Sequence, residues 1–366
     1  MAVARKHHYV PQMYLTGFAN DKDQCFVVDA STRKAFTVST ANIAAERDYN
    51  KIEAEGVPAD ALEKELGAFE GAMAPGIKRI RETASFGENG KDREDIINLV
   101  TLLAVRNPRT RDDMERLYTE LFRAMVGMPF EDPTRWDAVV EQLKAAGQWP
   151  DGSPVDFEGH KKFVEENKHK LKPHQNFTLE MELGAAERMY PYFDARKWQI
   201  LKARNDSGGF VTTDHPVCVH RPGGLNHGQQ FAPGLGLSDQ EILFPLSSKV
   251  ALIGRLEGDE DVVEADLETV ARFNATVMGY AMKQIYAVDD QYYYTRPAPH
   301  ALGKGSTLLQ DPNLKVREDA THLSKLADEI SGLSVIEAAS LSKMLEDKWR
   351  ISSTISGSAE PQDSSH

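Results

Sequence analysis

Cysteine is nearly absent: Cys25 and Cys218 are the only two in 366 residues. That excludes a disulfide framework and a cysteine zinc site, and both read as buried thiols. No apolar run approaches the roughly 20 residues a spanning helix needs, so no membrane partner is expected. The first seven residues are short and basic and carry no apolar core of the kind a secretory signal has, which makes the cytoplasm the expected compartment. A phosphate loop, a dinucleotide fingerprint, a His-Glu-x-x-His helix and a calcium loop are all missing. So is a Gly-x-Ser-x-Gly elbow, which leaves Ser247 and Ser248 in the Phe244-Pro245-Leu246-Ser247-Ser248 corner without a nucleophile setting. Positive charge is in deficit, with a net charge of -13. That disfavours broad attraction to nucleic acid, which depends on Lys and Arg neutralising phosphates, but leaves room for a local basic cleft.

What is present is globular. Hydrophobic residues make up 41% and charged residues 27% of the chain, the balance of a protein that can bury a real core. The length suits one large domain or two of ordinary size.

The opening stretch Lys6-His7-His8-Tyr9-Val10-Pro11-Gln12-Met13-Tyr14-Leu15 places two adjacent histidines and a glutamine around a proline that can begin a helix. Val10 is pushed toward extended geometry by Pro11, so His7 and His8 belong to an extended entry segment. Side chains alternate there. We expect His8, with Val10, to face a pocket, and Gln12, Leu15 and Phe18 to follow on a short helix. The plainer reading is a docking segment whose histidine bonds a carbonyl.

Residues 25–29 and 34–38 flank a polar interval and predict a β-hairpin, with a third short strand over 45–51. From about residue 59 the period changes. Leu62, Leu66, Phe69, Met73, Ile77 and Ile80 define a helix face, which Pro75-Gly76 is expected to kink or divide. A second helix runs from Asp92 to Asn107-Pro108, and a third carries Met114, Leu117, Leu121 and Met125 after a cap at Thr110. Further helices are predicted over 133–146, 157–171 and 178–193. Short β-rich runs follow at 198–203, 210–213, 217–220, 242–244 and 250–253, with a glycine-rich loop over 222–236. A helix over 267–281 and a strand over 285–288 complete the pattern.

The expected class is α+β: a mainly antiparallel sheet built from the N-terminal hairpin and the C-terminal strands, with a large central helical block packed on it. In domain terms, residues 1–297 form one α+β domain with a helical insertion at about 58–195. Residues 298–351 form a C-terminal helical extension, helical over 323–345, and 352–366 a disordered Ser-rich tail.

Three loci break the apolar patterning. Arg106 continues the stripe Ile96, Leu99, Leu103, and Asn274 interrupts Val270, Val277, Met278 and Ala281. Burying either group costs a few kcal/mol unless it finds a partner, so each marks a polar pocket or a structural network. Arg109 stands close enough to Arg106 to add a second positive group. The third locus is Thr212-Thr213-Asp214-His215-Pro216-Val217, a polar turn between β-type runs. Asp214 and His215 suit metal ligation or acid–base work, and equally an Asx-turn in which Asp214 holds the corner through backbone amides.

These loci together resemble an uncharacterised family, the domain of unknown function 4238. The likeness rests on His7-His8-Tyr9-Val10-Pro11-Gln12 with Tyr14-Leu15 and Phe18, on Thr213-Asp214-His215-Pro216-Val217, on Phe244-Pro245-Leu246-Ser247 and on Phe273-Asn274. Many relatives read Ser-Asp-Asn-Pro where this chain reads Thr213-Asp214-His215-Pro216. The resemblance implies a common fold and a shared pocket, without a reaction.

Two functional readings follow. In the first, the chain is a hydrolase-like enzyme, a metal-dependent phosphoesterase or nuclease acting on an anionic small molecule or nucleic acid, with a nuclease in bacterial defence as one version. His8, Asp214 and Arg106 carry the chemistry: His8 and Asp214 hold a divalent metal or act as base and acid, and Arg106 stabilises negative charge. His7, Gln12, Arg109, His215 and Asn274 bind substrate. In the second, the same residues form a non-catalytic ligand-binding or structural module with a polar core network.

Overall fold

The computed structural model describes residues 5–88, 90–150, 152–222, 239–296 and 301–314. The C-terminal helix expected over 323–345, the tail and most of the glycine-rich loop lie outside these residues.

The N-terminal segment is built as its alternation and its proline require. Strand β1 (Lys6–His8) leads through Pro11 into the short helix α1 (Gln12–Leu15), which runs on as a 3-10 turn over Thr16–Phe18. Strands β2 (Gln24–Asp29) and β3 (Lys34–Ser39) form the expected hairpin in register from Gln24 opposite Ser39 to Asp29 opposite Lys34. The third short strand, β4 (Ala45–Arg47), pairs antiparallel with β1 and not with the hairpin.

Helix α2 (Ala61–Thr83) contains Pro75 yet runs unbroken. One missing amide removes one rung of the ladder, and the surrounding packing holds the rest: Leu66, Met73, Ile77 and Ile80 are all buried. The adjacent Gly76 serves close approach to helix α3 (Lys91–Val105), because a Cβ there would collide with the Asp95 carboxylate. Helix α4 (Pro108–Gly127) starts earlier than expected. Pro108 suits a first helical position, and Asn107, not Thr110, caps it by accepting the Thr110 amide at 2.9 Å. Helices α5 (Pro133–Ala145), α6 (Phe157–Asn167) and α7 (Gln175–Asp194) complete the block.

The second half supplies β5 (Lys197–Ala203), β6 (Thr212–Thr213), β7 (Cys218–His220), β8 (Glu241–Pro245), β9 (Val250–Arg255), β10 (Val262–Ala265), α8 (Leu267–Tyr280), β11 (Gln284–Ala287), β12 (Tyr293–Thr295) and β13 (Leu302–Lys304). The class is α+β, and the C-terminal strands divide between sheets. A four-stranded antiparallel sheet has the order β3-β2-β11-β6, so the N-terminal hairpin is extended by late strands. A five-stranded sheet has the order β10-β5-β9-β8-β7, antiparallel except for the parallel β10–β5 pair. β1–β4 and β12–β13 are separate ribbons.

The described residues fall into two compact units, one made of residues 5–116 with most of 173–314, the other of residues 117–172. Of the expected helical insertion, only 117–172 lies in the second unit. There Phe130, Trp136 and Val140 form a small core covered by Trp149, Phe157 and Val164. In the first unit α3 packs between α2 and α7, and the main core joins this helical layer to the N-terminal segment and the strands. Among the described residues no helix is long and apolar enough to cross a membrane.

Tyr14 ties the sheets together. It is fully buried against Phe244, and its hydroxyl lies 2.7 Å from Thr212 Oγ1 on β6 and donates to the Pro245 carbonyl on β8 at 2.6 Å. Tyr14→Phe leaves a buried carbonyl without its donor, and we expect a loss of about 1–3 kcal/mol in denaturant unfolding. An unchanged midpoint would show that the hydroxyl bridge is dispensable.

Candidate functional site

The alternation of β1 puts His7, not His8, fully inside: His7 is 1% exposed and His8 half-buried. His7 Nδ1 accepts the Asn50 amide at 2.8 Å, which docks the N-terminal strand on the segment after β4. His8 keeps one buried ring atom, Nε2, without a hydrogen-bond partner. Burial, and then Lys6, lower the pKa of His8 and favour the neutral imidazole.

Arg106 caps the C-terminal end of α3 and is 4% exposed. Its Nη1 donates to Glu70 Oε1 at 2.8 Å, its Nη2 donates to the His8 carbonyl, and Glu63 Oε2 lies 3.8 Å from Nη2. The same Glu63 oxygen accepts Asn50 Nδ2 at 2.6 Å. The His8 carbonyl, with Asn50, Glu63, Glu70 and Arg106, therefore forms one connected cluster. Burial raises the pKa of Glu70 in spite of the adjacent guanidinium. Beside the cluster, Arg111 grips both Glu182 oxygens at 2.5 and 2.6 Å and lies 3.4 Å over the Tyr49 ring. Besides His8 Nε2, the buried atoms without a partner here are Asn50 Oδ1, Arg106 Nε and the Tyr49 hydroxyl.

The other expected site residues bond elsewhere. Asp214 Oδ1 accepts the Met282 amide at 2.8 Å, and Oδ2 accepts the Lys283 and Gln284 amides at 2.7 and 2.9 Å. It holds the corner at the start of β11 through amides distant in sequence, not through the local amides of an Asx-turn. Asn274 accepts the Val211 amide at 3.0 Å and donates to the Gly209 and Tyr293 carbonyls at 3.0 and 2.8 Å, so all three bonds brace backbone. Gln12 donates to Thr40 Oγ1, which donates on to Asp23. Arg109 and His215 meet through Tyr280: the guanidinium is 5.7 Å from that ring's centroid and the imidazole 5.5 Å. The divalent-metal pairing expected of His8 and Asp214 gains no third ligand, since among the described residues no group of three His, Cys, Asp or Glu is placed to hold a metal ion.

Sequence reasoning missed Glu63, Glu70, Asn50, Arg111 and Glu182. A signal for Glu70 was available. Leu66, Glu70, Met73 and Ile77 follow helical spacing, so Glu70 interrupts an apolar stripe in the way that singled out Arg106. Glu63 stands two turns before it on the same face. Asn50 had no such signal, because its contacts depend on where a loop is placed.

Residues 6–291 match the family described as a protein of unknown function (DUF4238). Residues 323–359 match a second family, the ribosomal protein L7/L12 dimerisation domain. Among curated proteins, the large ribosomal subunit protein bL12 of Rhodospirillum rubrum and that of Gluconacetobacter diazotrophicus are each 63% identical over 30 residues, 8% of this chain. The same protein of Parvibaculum lavamentivorans is 56% identical over 32 residues. The chain spans about a quarter of the length of these relatives, 24% of the first. No solved structure matches.

Asp214 carries a pH signature. Burial raises its pKa to about 6, outweighing the three amides that favour the charged form. Because the folded pKa exceeds the unfolded one, its contribution to stability is fully present below the ordinary aspartate range and is lost as pH rises through about 6. We expect the wild type to lose up to about 3 kcal/mol relative to Asp214→Asn between pH 4 and pH 7.5, read from denaturant midpoints. Parallel pH profiles for the two proteins would remove the assignment.

Proposed function

The chain belongs to the DUF4238 family, whose description carries no reaction, and from that premise we propose that it works by association through its C-terminal segment. The observation that supports this is the match of residues 323–359 to the L7/L12 dimerisation domain, together with a stretch 63% identical to bL12 over 30 residues. Leu323, Leu326, Ile330 and Leu333 recur in that segment at three- and four-residue steps, a stripe that calls for an apolar partner. The segment pairs with one of its own kind, in a second copy of this chain or in bL12 of the large ribosomal subunit. In the same reading, the separate hydrogen bonds of His7, Gln12, Asp214 and Asn274 are structural.

A second reading, hydrolase-like activity on an anionic substrate, is favoured by one feature. Glu70, whose carboxyl burial shifts toward the protonated form, is held by Arg106, which also holds the backbone carbonyl of His8, a residue whose imidazole burial keeps neutral; the two groups suit acid and base roles.

Light scattering on the full chain, alone and mixed with purified bL12, tests the first reading. Ile330→Asp with Leu333→Asp should abolish the dimer or the mixed complex without altering thermal unfolding; a chain that stays monomeric and ignores bL12 ends it. For the second, a panel of nucleic acids and phosphoesters with and without Mg²⁺ or Mn²⁺ should show turnover that Glu70→Gln and His8→Asn abolish. Absence of turnover in the wild type across the panel would dismiss hydrolysis.

A further inference from the structure

We propose that the outer edge of β3 is a docking surface for a second copy of this chain, which pairs with it antiparallel about a two-fold axis at Thr37. The inference does not rest on the association proposed above, which uses the other end of the chain.

Backbone demand is the first argument. β3 ends its sheet, in the order β3-β2-β11-β6. The Thr40 amide donates to the Asp23 carbonyl at 3.0 Å and continues the register that places Ser39 opposite Gln24. Bonded and non-bonded pairs alternate in an antiparallel ladder, so Lys34, Phe36 and Val38 bond to β2, while the amides and carbonyls of Ala35 and Thr37 and the amide of Ser39 point outward. Among the described residues none bonds these groups. The devices that blunt an open edge are missing too. The register runs without a bulge from Lys34 to Ser39, no proline interrupts it, and Lys34 at its end is its single charge. β6, β7 and β10, the other ends of the two larger sheets, have two, three and four residues, whereas β3 has six.

Self-complementarity is the second argument, and it selects a second copy as the occupant. Centred on Thr37, antiparallel pairing lets the Thr37 amide and carbonyl of one copy bond those of the other and brings each Ser39 amide to the Ala35 carbonyl across the seam. It also sets Phe36 opposite Val38 of the other copy, an aromatic and β-branched pair of a stabilising kind. Phe36 is 40% exposed, while Val38, on the same face, packs on the main core, so the pairing continues that core across the seam. Like charges stay apart. Lys34 lies opposite Thr40 of the other copy, whose hydroxyl donates to Asp23 at 3.0 Å. Arg33 donates instead to the Leu314 carbonyl, and Lys6 to the Ala41 carbonyl and Asn42. No acidic residue occurs between Asp29 and Glu46, so carboxylates of the two copies do not meet along the strand. A seam this short suits a weak dimer, with a dissociation constant on the order of 10 µM.

Sedimentation of the full chain carrying Ile330→Asp and Leu333→Asp, in which pairing through the C-terminal segment is disabled, provides the test and keeps the two proposals apart. A dimer should form as concentration rises from about 1 to about 200 µM. Thr37→Pro, which removes an outward amide and no bond to β2, and Phe36→Lys should each weaken it at least about tenfold. Should either variant unfold, hydrogen exchange on the chain without it gives the independent readout: the Thr37 and Ser39 amides should gain protection with concentration, while those of Phe36 and Val38, already bonded to β2, should not. A chain monomeric across that range, a dimer that neither substitution weakens, or Thr37 and Ser39 amides that exchange at one rate at all concentrations overturns the proposal.

Discussion

The carbonyl groups of the N-terminal segment are held by two guanidinium groups, and much of the first unit is arranged around that fact. Arg81 donates to the Met13, Tyr14 and Leu246 carbonyls, and Arg106 donates to that of His8. A segment that makes only a three-residue ribbon with β4 leaves backbone acceptors that must find donors when buried. Arginine, a planar fork with several donors, can satisfy carbonyls from different elements at once. Burial lowers the pKa of Arg81 to about 10, still high enough to keep it charged near neutrality. Gly17 belongs to the same construction, because a Cβ there would lie 2.7 Å from the Leu246 carbonyl and 2.8 Å from the Arg81 guanidinium.

Placing charge inside demands matching charge nearby, since an unpaired buried ion costs more than its partner returns. That requirement explains the company Arg106 and Arg111 keep. Arg111 is closed off as a bidentate pair with Glu182, and its remaining donor reaches the Tyr49 carbonyl. Arg106 is left between two carboxylates. The contrast locates chemistry: one pair is self-contained, while the other cluster retains acceptors that nothing in the described chain serves. The same contrast separates Asp214 and Asn274, whose polar atoms are matched to backbone, from His8 and Asn50, each of which keeps one buried atom without a partner.

Particular residues show what was readable in advance. Arg106 and Asn274 were marked because each interrupts an apolar stripe, and both are buried among polar partners. Their shared signal concealed different roles. Whether a buried polar group contacts carboxylates or loop carbonyls depends on residues far along the chain, such as Glu70 for one and Tyr293 for the other. The hairpin and most helix faces were legible because they follow local periodicity. The inward turn of His7 was not, since a strand's period of two leaves open which of its faces the core takes.

By itself the sequence determined the α+β class, the hairpin, the helical block, the family and the residues whose polarity conflicts with their surroundings. Local chemistry decides these: apolar spacing, proline geometry and capping act over a few residues. Only the tertiary structure decided that late strands divide between two sheets, that Pro75 sits within a continuous helix, and that Asp214 receives the amides of residues 282–284. It also brought Asn50, Glu63 and Glu70 to Arg106. The physical reason is that hydrogen bonds and charge pairs between distant residues are chosen by packing, and packing is a property of the whole chain.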